Sequence, residues 1–139
     1  MSENELTVTR LFNTTKENLW VIWTTPSNIE KWYGPKGFNT KVKSMEFKVG
    51  GKFELLMSGP GGNEHSIKGE YTEIIENEKI VDSSMNGNVI TTVFFESEGD
   101  KTKLTLTMRL KTAEEKQKFE QMGVMKGWNS SFERIDELL

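Results

Sequence analysis

The feature that most constrains this chain is the apolar series Phe119, Met122, Met125, Trp128, Phe132, Ile135 and Leu139, which keeps helical spacing to the last residue. Thr112, followed three residues later by Glu115, forms a capping box just ahead of it. The spacing predicts one long helix from there to the C-terminus, roughly 40 Å at 1.5 Å per residue. A domain of 139 residues has a radius of gyration of about 14 Å, so such a helix has to cross the whole molecule. Only a broad apolar surface can bury its stripe. A twisted antiparallel sheet with one apolar face, curled around the helix, is the partner the remaining sequence can supply.

That sheet is legible between Asn39 and Leu110, where apolar residues recur with a period of two in short runs separated by turn residues. Six strands fit the stretch. Phe47 and Val49 close the first run before Gly50-Gly51, and Phe53, Leu55 and Met57 alternate in the next. Ser58 to Asn63 reads as a hairpin loop. Further runs are His65 to Ile75, Lys79 to Met85, Val89 to Glu96 and Lys101 to Leu110, with Leu104, Leu106, Met108 and Leu110 on one face of the last. Ahead of them, Glu5 to Phe12 reads as a strand. Thr14 with Glu17 is a capping-box spacing for a short helix presenting Leu19, Ile22 and Trp23. Thr25-Pro26 starts a second, with Ile29 and Trp32 buried and Gly34-Pro35 as its stop. The expectation is one α+β domain over 1–139, with about seven strands in all.

Composition removes several function classes. Cysteine is absent, which excludes disulfides, thiolate metal sites and a cysteine nucleophile. The net charge is -3, so there is no basic surplus to neutralise phosphates, and nucleic acid is not an expected partner. The opening MSENELTV has no apolar core of a signal peptide, and no apolar run approaches the roughly 20 residues that span a bilayer. A cytoplasmic protein without a membrane span is expected.

Four short motifs carry a family resemblance: Trp23-Thr24-Thr25-Pro26, Lys31-Trp32-Tyr33-Gly34-Pro35, Val49-Gly50-Gly51, and Met122-Gly123 through Gly127-Trp128. In this order and approximate spacing the chain resembles the activator of 90-kDa heat-shock-protein ATPase homologue (AHSA-type) family of the START-like, or SRPBCC, superfamily. The resemblance implies a helix-grip fold. It also implies a cavity between sheet and C-terminal helix that in several branches holds an apolar small molecule, and in others serves cyclases and dehydratases. The family name points to chaperone assistance and stress response.

Chemistry-bearing motifs are sparse. His65, the single histidine, falls at a strand start beside the SGPGGN loop, which lacks the Lys-Ser/Thr ending of a phosphate cradle. Glu73, Glu76 and Glu78 cluster near a turn, and Glu114, Glu115 and Glu120 sit on a polar helix face, all solvated placements. No catalytic residue, metal or cofactor is read from this pattern. Arg10, on the first strand, is either a rim ion pair or an anchor for a ligand's polar head. The cavity candidates begin with Trp23, Trp32, Tyr33 and Phe38 from the helical pair and the segment after it. Phe47, Phe53, Leu55, Met57, Tyr71, Phe95 and Met108 come from the sheet, and Met125, Trp128 and Phe132 from the last helix. Trp32, Tyr33 and Trp128 are expected near the mouth. Gly123 and Gly127 share one side of the helix, leaving room for close sheet approach or a ligand. Three functions are compatible with this reading: a carrier of a small hydrophobic, lipid-like or polyketide-like molecule; a protein-interaction module, were Trp32 to Pro35 exposed; or an enzyme, for which no convincing pair of ionisable groups is visible.

Overall fold

Why the first strand forms is plain from its alternation: in β1 (Glu5–Phe12), Leu6, Val8 and Phe12 are buried while Thr7, Thr9 and Leu11 face out. The structure is a computed structural model and describes residues 4–139; the leader reading of MSENELTV falls partly on residues 1–3, outside the described ones. Helix α1 (Lys16–Thr24) comes next, capped not by Thr14 but by Thr15, whose hydroxyl accepts from the Asn18 amide. Thr14 instead accepts from the Asn18 side chain. The one-residue shift places Trp20 rather than Trp23 fully inside with Leu19 and Ile22. In α2 (Pro26–Trp32), Pro26 takes the first position, and Ile29 and Trp32 are buried.

Six strands then run as a meander: β2 (Asn39–Met45), β3 (Lys52–Ser58), β4 (Glu64–Ile75), β5 (Lys79–Ser84), β6 (Val89–Glu98) and β7 (Lys101–Leu110). The sheet is antiparallel throughout, in the order β1-β7-β6-β5-β4-β3-β2. Strand β1 therefore pairs with the last strand, and β1 and β2 form opposite edges of the sheet, joined by the segment that carries α1 and α2. Phe47 and Val49 do not belong to β2, which ends at Met45 after a register shift between Val42 and Ser44. Beyond it the chain turns, and Gly50 and Gly51 exchange backbone bonds with Tyr71, extending the β4 ladder past the end of β3. Phe47 still folds inward, edge-on to Trp20 at 5.8 Å and to Tyr71 at 5.0 Å.

The expected single C-terminal helix is two. Helix α3 (Ala113–Gln121) has the Thr112 cap, its hydroxyl accepting from the Glu115 amide, and α4 (Val124–Leu138) starts afresh after Gly123. Gly123 sits at φ +77°, the left-handed conformation in which glycine ends helices. Met122, counted in the apolar stripe, is consequently 74% exposed. Helix α4 alone lies along the sheet, roughly 22 Å long.

Its last turns make the dry half of the core. Phe132 and Ile135 are wholly buried with Phe12, Leu19, Leu104 and Leu106, and Phe12 meets Phe132 edge-on at 5.7 Å. Polar ties hold the helix on both sides. Arg10 pairs with Asp136 at 2.6 Å. Opposite, the segment after α2 is fastened to α4: the Gly34 amide donates to Ser131 Oγ, the Lys36 amide to Ser130 Oγ, and Arg134 Nη1 lies 2.9 Å from the Gly34 carbonyl. The carbonyls of Tyr33, Pro35 and Phe38 surround the same nitrogen at 3.3 to 3.4 Å. One nitrogen cannot donate to four acceptors, so Gly34 takes the principal bond and the others share its charge.

Removing that cation leaves a ring of carbonyls facing nothing. Arg134→Ala should cost about 1.5–3 kcal/mol, the range for a hydrogen bond to a charged group. Urea unfolding checks the loss. Amide hydrogen exchange should show faster opening at Gly34 and Lys36 while β6 and β7 stay protected; uniform protection across the chain would contradict the clamp.

Candidate functional site

Helix α4 rests on β1 and α2, so the inner faces of β3, β4 and β5 are left without a helix over them. The space enclosed there measures about 1260 Å³. Its floor is the alternating inner face of the sheet, with Leu55 and Phe53 from β3, Ile80 from β5, Val93 from β6 and Leu106 from β7. Gly69 in β4 makes the floor continuous: a Cβ there would lie 2.5 Å from the Phe53 ring and 3.0 Å from the Ser83 carbonyl, so only glycine lets Phe53 lie flat across its neighbour. The wall facing the sheet is aromatic. Trp23 and Trp32 have ring centres 4.5 Å apart, Trp23 stacks on Trp128 at 6.1 Å, and Tyr33 meets Trp128 edge-on at 5.8 Å. Met85, in the turn after β5, and Met122, before α4, are both exposed and both border the space, so they form part of its rim.

Of the cavity candidates, Trp23, Trp32, Tyr33, Phe38, Phe47, Phe53, Leu55, Met57, Tyr71, Met108 and Trp128 border this space. Phe95, Met125 and Phe132 do not. Phe95 is 3% exposed and packs edge-on to Trp20 and Trp23, while Phe132 is sealed against Phe12. Met125 is half-buried against the core. Met125 belongs to α4 together with Trp128 and Phe132, so their shared helical phase is intact, and what packs opposite each residue decides which of them meets the space. Arg10 does not reach the cavity either; Asp136 holds it at the far edge of the sheet. Trp32 borders the space but is not at a mouth, being 1% exposed with its indole N–H donated to the Ile22 carbonyl. The segment from Trp32 to Pro35 is not an exposed patch, since Trp32 and Gly34 are buried and Tyr33 and Pro35 half-buried. Gly127 borders the cavity near Pro35, and a Cβ at Gly123 would meet nothing within 4 Å, so neither glycine marks a close approach to the sheet. His65 is exposed at the start of β4, opposite Met57.

Sequence reading missed the polar centre of this space. Asp82 lies on the inner face of β5, two residues from buried Ile80, and its register neighbours are Tyr71 on β4 and Thr91 on β6. Tyr33 faces the same group from the segment after α2. Among the described residues Asp82 has no ion-pair partner, and neither its carboxyl nor the Tyr33 and Tyr71 hydroxyls hydrogen-bond to another side chain or to the backbone. No buried side-chain polar atom of the described residues lacks a partner, so these oxygens must open onto the cavity. Asp82 keeps some accessible surface for that reason, yet its protein surroundings are apolar enough that burial pushes its carboxyl up to about 7. Burial, and then the charge of Asp82, raise both phenols above their ordinary value. The signal that could have found Asp82 was its even spacing from Ile80 in Lys79–Ser84.

The family model described as "Activator of Hsp90 ATPase homolog 1-like protein" matches residues 13–139. No curated protein matches the sequence. Solved structures match closely in shape. A Nitrosomonas europaea protein, 21% identical, superposes with a TM-score of 0.92 over 100% of this chain and 96% of its own. A Mycobacterium smegmatis protein, 25% identical, gives 0.90 over 98% and 90%. An AHSA1-like protein from Aeromonas hydrophila, 18% identical, gives 0.78 over 96% and 94%. The curved seven-stranded sheet with its C-terminal helix is thus the helix-grip fold of these neighbours.

The raised carboxyl has a stability consequence with a definite sign. The folded state holds the Asp82 proton more tightly than the unfolded chain, whose carboxyl titrates near 3.8. Stability contributed by this group is therefore fully present below about pH 4 and is lost as pH rises to about 7, with each pH unit in that window removing on the order of 1.4 kcal/mol. Asp82→Asn should match the parent protein near pH 4 and be more stable by a few kcal/mol at pH 8. Urea midpoints at both pH values measure this; an equal difference at the two would rule out the titration.

Proposed function

Because the chain belongs to the Activator of Hsp90 ATPase homolog 1-like family, we propose that it binds a small hydrophobic molecule between its sheet and its C-terminal helix. The observation that carries this reading is an aromatic-walled space of about 1260 Å³ around three unpartnered polar groups, the Asp82 carboxyl and the Tyr33 and Tyr71 hydroxyls. Filling such a volume with protein would be routine for a chain with this many large apolar side chains; leaving it open costs packing contacts that a guest restores. Apolar walls with a few convergent polar groups are the usual make-up of small-molecule sites. Trp23, Tyr33, Phe53 and Trp128 supply contact area, and Met57 and Met85 supply adaptable surface. In this reading the protein is a single-domain cytoplasmic carrier.

A protein-interaction role draws on the family description, but the segment that suggested it is packed against α4 by Ser130, Ser131 and Arg134. A cyclase- or dehydratase-like activity would use the same cavity with Asp82 as its acid or base.

A two-dimensional amide NMR titration against fatty acids, sterols, flavonoids and aromatic polyketides tests the carrier reading. Saturable shifts should concentrate on Trp23, Trp32, Phe53, Tyr71 and Trp128, and leave Arg10 and Asp136 unmoved. Gly69→Val, which crowds the floor through Phe53, should weaken binding about tenfold or more. A dispersed spectrum that no compound perturbs would count against the carrier.

A further inference from the structure

The lone carboxyl at the centre of the cavity selects among hydrophobic guests. Carboxylates are rarely taken out of water without a cation or hydrogen-bond donors as company. Here the described residues supply none: Asp82 is flanked in register by Tyr71 and Thr91, faces Tyr33, and has no side-chain bond to any of them. Among the described residues the titratable groups turned toward it are the two phenols, Tyr71 from β4 and Tyr33 from the segment after α2; β6 presents the uncharged Thr91, and His65, which shares the inner face of β4 and borders the space, stands at the exposed start of that strand opposite Met57, away from Tyr71 and Asp82. Lys52 and Lys68 border the space but alternate with the inward Phe53 and Gly69 and so stand on the other face of the sheet, where Lys52 lies opposite Glu70 and Lys68 opposite Glu54. Around Asp82 the interior is therefore acidic, with no cationic side chain of the described residues beside it.

A second, independent feature has the same sign. The wall facing the sheet is built from indole and phenol rings at centre separations of 4.5 to 6.1 Å, with Trp23, Tyr33 and Trp128 partly exposed and Trp32 buried among them. Aromatic faces carry negative electrostatic potential and attract ammonium groups most strongly where water is excluded. A guest carboxylate would meet repulsion from Asp82 and from the ring faces alike. An alcohol or ketone would satisfy the protonated acid but leave the ionised form without a counter-charge.

We propose that the guest is a lipophilic amine, its ammonium paired with the Asp82 carboxylate beside the Tyr33 and Tyr71 hydroxyls and its apolar body lying against the tryptophans. This rests on the carrier reading and names its ligand class. The cavity size admits a body considerably larger than a simple alkyl chain, and its chemistry sets only the polar end. Since the carboxyl and not the amine changes state near neutrality, uptake should be tight when Asp82 is ionised and weak when it is protonated.

Matched probes separate this inference from the one beneath it. Decylamine, decanol and decanoate, together with naphthalen-1-ylmethanamine, naphthalen-1-ylmethanol and naphthalene-1-carboxylate, are titrated into labelled protein at pH 8 and pH 5 and followed by amide NMR. The amine of at least one series should bind about tenfold or more tighter than its alcohol at pH 8, an advantage lost at pH 5, with the carboxylate weakest. Asp82→Asn should abolish the amine's preference and its pH dependence while the alcohol binds as before. In protein labelled at aspartate carboxyl carbons, amine binding should move the Asp82 titration about one pH unit down for each tenfold preference. An alcohol or carboxylate binding as tightly as the amine, or an amine affinity unchanged in Asp82→Asn, overturns the amine assignment and leaves the carrier intact. Failure of all six to bind overturns both.

Discussion

One mismatch governs the interior: a fifteen-residue helix covers a seven-stranded sheet. Helix α4 is roughly 22 Å long, while seven strands at about 4.8 Å spacing span about 29 Å before curvature. The helix cannot shield the whole apolar face. It is placed over the β1 side, where Phe132 and Ile135 complete the buried core, and the face over β3 to β5 is walled by α1, α2, the segment from Tyr33 to Phe38 and the first half of α4 around Trp128. The cavity lies where these elements stand off the sheet and do not fill the space beneath them.

That arrangement depends on polar contacts at the edges more than on further burial. Arg134, Ser130 and Ser131 fix the segment from Tyr33 to Phe38 to the helix, and Thr40 adds a hydroxyl bond to the Tyr33 carbonyl. The bonds are directional, so they hold the aromatic wall at a set distance from the sheet without filling the gap between them. Arg10 and Asp136 do the same at the opposite edge, where both side chains remain partly exposed and the pair contributes modestly. Function and fold meet at this point: the wall that presents Tyr33 to Asp82 is the one that Arg134 secures.

The carboxyl at the centre also explains why the cavity is more than a packing fault. An apolar void would be lined by aliphatic groups and carry no titrating centre. Here an acid, two phenols and a threonine share one row across β4, β5 and β6 or face it from above. Burial raises the protonation equilibria of all three titrating groups; for Asp82, whose ionised form is the one disfavoured, this is a free-energy cost at and above neutral pH that a cationic guest would reverse.

Local pattern determined most of the architecture, because side-chain period and turn chemistry are written into neighbouring residues. The eight residues of β1, the six-strand meander, Pro26 at the start of α2 and the Thr112 cap were all legible in that way. Where two local signals competed, the weaker reading was easy to take: the apolar stripe argued through Gly123, but the left-handed glycine ended the helix and left Met122 exposed. What only the tertiary structure decided was which inward residues are sealed and which are left facing space. Phe95 and Phe132 are as apolar as Phe53 and Phe47, and they differ only in what lies opposite them. Asp82 is an ordinary strand acid by sequence; it becomes the centre of a site because folding brings β4, β6 and the Tyr33 segment around it and, among the described residues, no cation beside it. Counter-charges and empty volume are properties of distant chain segments taken together, and no spacing along one segment encodes them.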